Sequence, residues 1–138
     1  MTISNISDVE FGYELEPFTP DTALTNTKAF ADAVGYSGNG RFEDHEKARA
    51  QGLPSALVPG IMGMAFLTSM IHRWAPSATV EKVDTVFRAP MLADQPLTIS
   101  AVVTDIEEDD GVVELDLSIK NEADETRVFG TARVRFPT

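Results

Sequence analysis

The stretch PGIMGMAFLTSMIHRW, residues 59–74, decides the fold. Ile61, Met62, Met64, Ala65, Phe66, Leu67, Met70 and Ile71 are spread around nearly the whole circumference of a helix drawn through it. Such a helix has to be wrapped by protein. Pro59 suits the first helical position, where the amide hydrogen that proline lacks would have had no partner anyway. His72 and Arg73 put donors or cations in the last turn, beside unpaired carbonyls, and Pro76 stops the helix soon after. The spacing predicts a buried core helix over 59–74. The longest apolar run around it, 58–71, is too short to cross a bilayer.

Working outward, the rhythm changes at Pro76. Downstream, apolar residues recur every second position, which predicts strands over 78–88, 97–106, 113–119 and 128–136. Asp110 and Gly111 mark a tight hairpin, and 121–125 a looser one, so the four strands are expected as an antiparallel meander with one buried face. Upstream, 11–18 alternates as a short strand. Residues 25–34 read as a helix capped by Thr25 or Asn26 and stopped by Gly35, and 43–51 as a short helix ended by Gly52. Glu43 and Lys47 are spaced for an i,i+4 pair. Between these helices Gly35, Gly38 and Gly40 allow either a tight turn or a close approach to a ligand. The expected architecture is α+β, a single domain over 1–138, with an antiparallel sheet wrapped around the long central helix. One sheet face cannot cover all of that helix, and an unpaired edge strand invites pairing, so a homodimer or higher homo-oligomer is expected.

Composition removes whole classes of function. With 138 residues, 43% apolar and 24% charged, the chain has the balance of one ordinary globular domain. There is no cysteine, so thiol nucleophiles, disulfides and cysteine-built metal sites are excluded, and the two histidines, His45 and His72, lie far apart. No metal site is expected. A formal charge of −11 repels phosphate backbones, so nucleic acid is not an expected partner, and with no apolar run long enough to cross a bilayer neither is a membrane. The polar, acidic start has no signal-peptide pattern, and a cytoplasmic location is the expectation.

Specific residues resemble the MaoC-like hydratase/dehydratase family of hotdog-fold proteins. The family pattern runs Phe-Ala, then Gly-Asp-x-Asn-Pro-Leu-His-x-Asp-x-x-x-Ala, then a small turn into the hotdog helix. Phe30 and Ala31 open the match, Asp44 and Ala48 fit its tail, and Asn39 falls on the family asparagine. Phe87 to Pro90 resembles a Phe-x-x-Pro at the end of the first long strand, and Gly130, Ala132 and Val134 resemble the closing Gly-x-Ala-x-Val. The resemblance implies the hotdog fold and an acyl-thioester ligand, of coenzyme A or an acyl carrier protein. It implies no separate cofactor.

The departures bear on mechanism. In catalytic family members an aspartate and a histidine activate the water exchanged with a 2-enoyl thioester. On this register Ser37 replaces the aspartate and Phe42 the histidine, and Pro59 stands where a histidine precedes the helix glycine. A phenyl ring transfers no proton, and an unassisted serine hydroxyl is a poor base.

Candidate residues follow. Pro59, Gly60 and Ile61 form the helix start, whose free amides can hold a thioester carbonyl as it becomes an enolate, with Gly60 and Ile61 as donors. Phe42 is a candidate for substrate contact. Ser37, Asn39, Asp44 and His45 are candidates for a relocated acid/base set, although capping and the helix dipole also account for Asp44. Arg127, Arg133 and Arg135 share the outward face of the last strand and are either solvated or directed at coenzyme A phosphates or an acidic partner. The expectation is an acyl-thioester-binding protein resembling an (R)-specific enoyl-CoA hydratase or 3-hydroxyacyl dehydratase. Two alternatives stay open. One is a non-catalytic subunit joined to a dyad-bearing hotdog chain, and the other is a thioesterase using Asp44 or Glu43.

Overall fold

The computed structural model describes residues 2–138. The elements in chain order are α1 (Leu24–Ala33), α2 (His45–Ala50), β1 (Leu57–Val58), α3 (Gly60–Trp74), β2 (Thr79–Phe87), β3 (Met91–Leu92), β4 (Leu97–Glu107), β5 (Val112–Asn121) and β6 (Thr126–Arg135). Among the described residues, no helix is long and apolar enough to cross a membrane.

The central helix starts one residue later than its sequence predicts, with Pro59 as the N-cap rather than the first helical residue. Its buried side carries Met62, Gly63, Leu67, Met70, Ile71 and Trp74. These pack against inward residues of the sheet, among them Leu115, Ile119, Val128 and Val134, all inaccessible to solvent. Gly63 sets the approach: a Cβ there would lie 2.8 Å from Met91 Cε and 3.3 Å from Ile119 Cδ1. Trp74 closes the far end, edge-on to Phe136 at 5.7 Å. The expectation of burial all round is only half met, because Ile61, Ala65, Ser69, His72 and Arg73 face outward.

The four long strands form one antiparallel sheet in the order β2-β6-β5-β4. This corrects the simple meander. β2 pairs with the last strand, not with β4, because residues 88–96 leave the sheet, form β3 and pair with β1 as a separate two-stranded ribbon. The β4–β5 hairpin falls where Asp110 and Gly111 predict it, with a 3-10 turn at Glu108–Asp110 and Gly111 in the left-handed region at φ 73°. Gly130 is obligatory where β6 meets β2, since a Cβ would fall 1.9 Å from the Asp84 carbonyl oxygen.

The predicted strand over 11–18 is reduced to two isolated bridges, Glu14 to Val102 and Phe18 to Ile99. Gly12 turns the chain at φ +80°, and Pro17 has no amide to donate. The segment still covers the outer edge of β4, with Leu15 donating to the Ala101 carbonyl at 2.9 Å. At the other edge, no strand among the described residues pairs with the outer side of β2.

Candidate functional site

The start of α3 is fixed from both sides by backbone. β1 runs into Pro59 and pairs with β3, Leu57 opposite Leu92 and Val58 opposite Met91. Leu57 also donates to the Arg41 carbonyl at 2.8 Å, which ties the glycine-bearing segment to the residues just before the helix. Pro59 is extended, at φ −57° and ψ 138°, and its carbonyl accepts from the amides of Met62 and Gly63. The amides of Gly60 and Ile61 precede the first intrahelical bond. They have no acceptor among the described residues. A Cβ on Gly60 would touch the Phe87 ring at 3.0 Å, so that ring lies over the helix start. The place is open: Ile61 is 44% exposed and Phe87 50% exposed. It offers two amide donors at a helix start beside an aromatic wall, and donors of this kind can stabilise a developing oxyanion.

The other predicted residues lie in the neighbouring segment 35–56. Asn39 Oδ1 accepts from the Arg41 amide, and the Asn39 carbonyl accepts from Gln51 Nε2. Phe42 stacks on Tyr36, ring centroids 5.9 Å apart. Ser37 is exposed, and its hydroxyl makes no hydrogen bond among the described residues. Glu43 does not pair with Lys47 as its spacing predicts. Its Oε1 instead accepts from the amides of Gly38 and Gly40, which shapes the glycine segment.

Asp44 and His45 both hold structure together. Asp44 caps α2, Oδ1 accepting from the Lys47 amide at 3.0 Å, and that bond holds its carboxyl below the usual aspartate value. His45 Nδ1 accepts from the Ala56 amide at 3.1 Å, so the ring proton sits on Nε2, which donates to Asp94 Oδ2 at 2.7 Å. Asp94 Oδ1 accepts from Leu24, the first amide of α1. The His45 bond, followed by the Leu24 bond, holds the Asp94 carboxyl below its ordinary value. One carboxylate thus joins α1, α2 and the loop before β4, and both ring nitrogens of His45 are occupied.

Sequence spacing does not reveal Phe87 or Asp94, since each acts across a long loop. The predicted cap of α1 moves with Asp94: the helix starts at Leu24, not at Thr25 or Asn26. The arginine face divides. Arg135 Nε meets Glu81 Oε2 at 2.7 Å, and Arg133 reaches Glu81, Glu107 and Glu114 between 3.2 and 3.6 Å. Those two guanidinium groups are engaged within the chain.

An antiparallel sheet curled over one long helix, with a short excursion feeding the helix start, is the hotdog fold of MaoC-like dehydratases. The (R)-hydratase from A. caviae involved in PHA biosynthesis superposes with a TM-score of 0.86 at 19% identity, over 94% of this chain and 98% of that one. The MaoC-like dehydratase from Rhodospirillum rubrum gives 0.78 at 18%, over 96% and 97%. One chain of the ChsH1–ChsH2 complex from Mycobacterium tuberculosis gives 0.83 at 21%, over 94% and 99%. No model of a known protein family matches the chain, and no curated protein sequence does. At these identities the similarity establishes the fold.

Proposed function

We propose that this chain is an acyl-thioester-binding hotdog subunit of the hydratase/dehydratase type, which obtains its acid/base groups from a second hotdog chain. The observation that carries the proposal is the pair of unpartnered amides on Gly60 and Ile61, set beside Phe87 at an open face. Adding water to a 2-enoyl thioester builds negative charge on the carbonyl oxygen, and two helix-start amides stabilise that charge. The step also needs a group to take a proton from water and one to protonate the α carbon. On the register of the family resemblance Ser37 and Phe42 fall at the dyad positions, where a phenyl ring transfers no proton and an unassisted hydroxyl is a poor base. Asp44 and His45 are committed to α2, Ala56 and Asp94. The same engagement weighs against a thioesterase built on Asp44 or Glu43.

Two features support a partner. Among the described residues no strand pairs with the outer side of β2, and Val86 and Phe87 at its end are half exposed. An unprotected edge of this kind accepts another strand. The ChsH1–ChsH2 assembly, a complex of two different chains, contains this fold. The substrate is a 2-enoyl or (3R)-hydroxyacyl thioester of coenzyme A or an acyl carrier protein.

The test is hydration of crotonyl-CoA, followed by loss of the enoyl absorbance. The purified chain alone is expected to bind a saturated acyl-CoA, read as a rise in melting temperature, without turning over crotonyl-CoA. Co-expression with a hotdog chain carrying the aspartate–histidine pair is expected to restore turnover. Turnover by the lone chain would overturn the division of labour, and absence of any acyl-CoA binding would overturn the ligand.

A further inference from the structure

Arg127 stands apart from the other two arginines of β6. It is the extra residue of a β-bulge: Ile119 pairs with Val128 and the next residue, Lys120, with Thr126. A bulge re-aims the side chain of its extra residue. The backbone there is firmly held, because the Arg127 carbonyl accepts from the amides of both Arg88 and Ala89, at 2.9 and 3.2 Å. Its side chain is 22% exposed, and Nε is buried with no hydrogen-bond partner. The nearest carboxylate is Glu125, 3.6 Å from Nη2, and that Oε1 already accepts from Asn121 Nδ2 at 2.8 Å. The guanidinium is therefore stripped of much of its water without a close acceptor in return. Arginine does not shed its charge to relieve this.

The same side chain lines a cavity of about 360 Å³ between β3 and the β5–β6 hairpin. Pro90, Met91, Leu92 and Leu97 make an apolar wall, and Gln95 and Arg127 supply polar groups. Asn121 also lines it, its side chain bonded to Glu125, and the carboxylate among the lining residues, Glu122, is exposed to water. The volume falls in the range of small-ligand pockets, whose usual design is an apolar wall with few polar groups. A guanidinium fork matches an oxyanion with two acceptor oxygens.

We infer that this cavity binds a small oxyanion carried on an apolar chain, with Arg127 holding the anionic head and Pro90 and Leu92 against the tail, above the buried Met91 and Leu97. Neither Gly60, Ile61 nor Phe87 lines this cavity, and the inference does not rest on a thioester ligand. A carboxylate and a phosphate monoester share the required chemistry, so octanoate, octyl phosphate and inorganic phosphate are compared on the full chain by isothermal titration and methyl NMR. At least one octyl ligand is expected to bind saturably, moving the Met91 and Leu97 methyl signals. The tighter of the two identifies the head group. Inorganic phosphate is expected to bind at least about tenfold more weakly, and Arg127→Gln to weaken the octyl ligand by at least about tenfold. Circular dichroism establishes that the variant is folded. If Arg127→Gln does not fold, Arg127→Lys, which keeps the charge and loses the fork, is expected to weaken binding in the same direction. The inference is overturned by no saturable binding, by shifts confined to other methyls such as Met70, by phosphate binding as tightly as the octyl ligands, or by unchanged affinity in the folded variant.

Discussion

Leu24 and Gly60 both open helices, and the chain treats the two openings in opposite ways. At α1 the Leu24 amide is taken by Asp94 Oδ1, and the preceding Ala23 amide by Asp21, each at 2.9 Å. At α3 the N-cap is Pro59, which has no side-chain acceptor, and the amides of Gly60 and Ile61 stay free. The chain has 22 acidic residues, so acceptors are not scarce. A start left bare in such a chain costs stability that a single Asp, Ser or Thr would recover, by about 1 kcal/mol. What holds α3 in place is its seat on the sheet through Gly63, not its cap. Its start is thereby available to an outside acceptor, whereas the start of α1 is closed.

The comparison breaks most easily at the seat. Gly63→Val would push side-chain carbons into Met91 and Ile119 and should destabilise the fold by about 2–3 kcal/mol in urea unfolding. A change below about 0.5 kcal/mol would mean that α3 is not packed as described. Opening the start of α1 is the next largest effect. Asp94→Ala removes the acceptor of Leu24 and the partner of His45 together. It is expected to cost about 1–2 kcal/mol and to speed amide exchange in α1 and α2 while leaving α3 protected. Equal loss of protection in all three helices would contradict the contrast.

Acid sharpens the same contrast. Asp94 and Asp44 both titrate below the ordinary aspartate value of 3.8, because folded-state hydrogen bonds favour their charged forms. A depressed folded value means that these carboxylates stabilise the fold fully above pH 3.8, and that this contribution is lost as pH falls through the lower folded values. The starts of α1 and α2 should therefore fray before α3, which has no acidic residue in its first turn. Amide exchange between pH 5 and 3 would show the order, and α3 opening first would refute it.

Much of this was legible in the sequence, and unevenly so. The apolar residues of 59–74, bounded by Pro59 and Pro76, locate α3 to within one residue, because the ones that become buried recur at helical spacing. The alternation from Val113 to Ile119 places β5 and its buried face for the same reason. The partner of β2 was not legible: strand order depends on where residues 88–96 travel, and β1 and β3, at two residues each, are too short to carry a period. At the candidate site, Gly60 and Ile61 could be read from the Pro-Gly step. The roles of Asp44 as a cap and of the glycine segment as a turn were also within reach. His45 was not, because its meaning rests on Asp94 and Ala56, contacts made through tertiary folding. Phe87 is hidden likewise, exposed at the end of a strand yet lying over a glycine on another element.

The most direct test of the free helix start is Gly60→Pro. Proline is tolerated at a first helical position, and the extended backbone of Pro59 suits a residue preceding it. The substitution removes one of the two donors and leaves the helix hydrogen bonds intact. Gly60→Ala, which places the same Cβ 3.0 Å from the Phe87 ring but keeps the donor, is measured beside it and is expected to bind more tightly than Gly60→Pro. Titration of the wild-type and variant chains with a saturated acyl-CoA is expected to show affinity falling by about tenfold or more while α3 keeps its amide protection. Undiminished affinity in a folded Gly60→Pro chain would contradict the account.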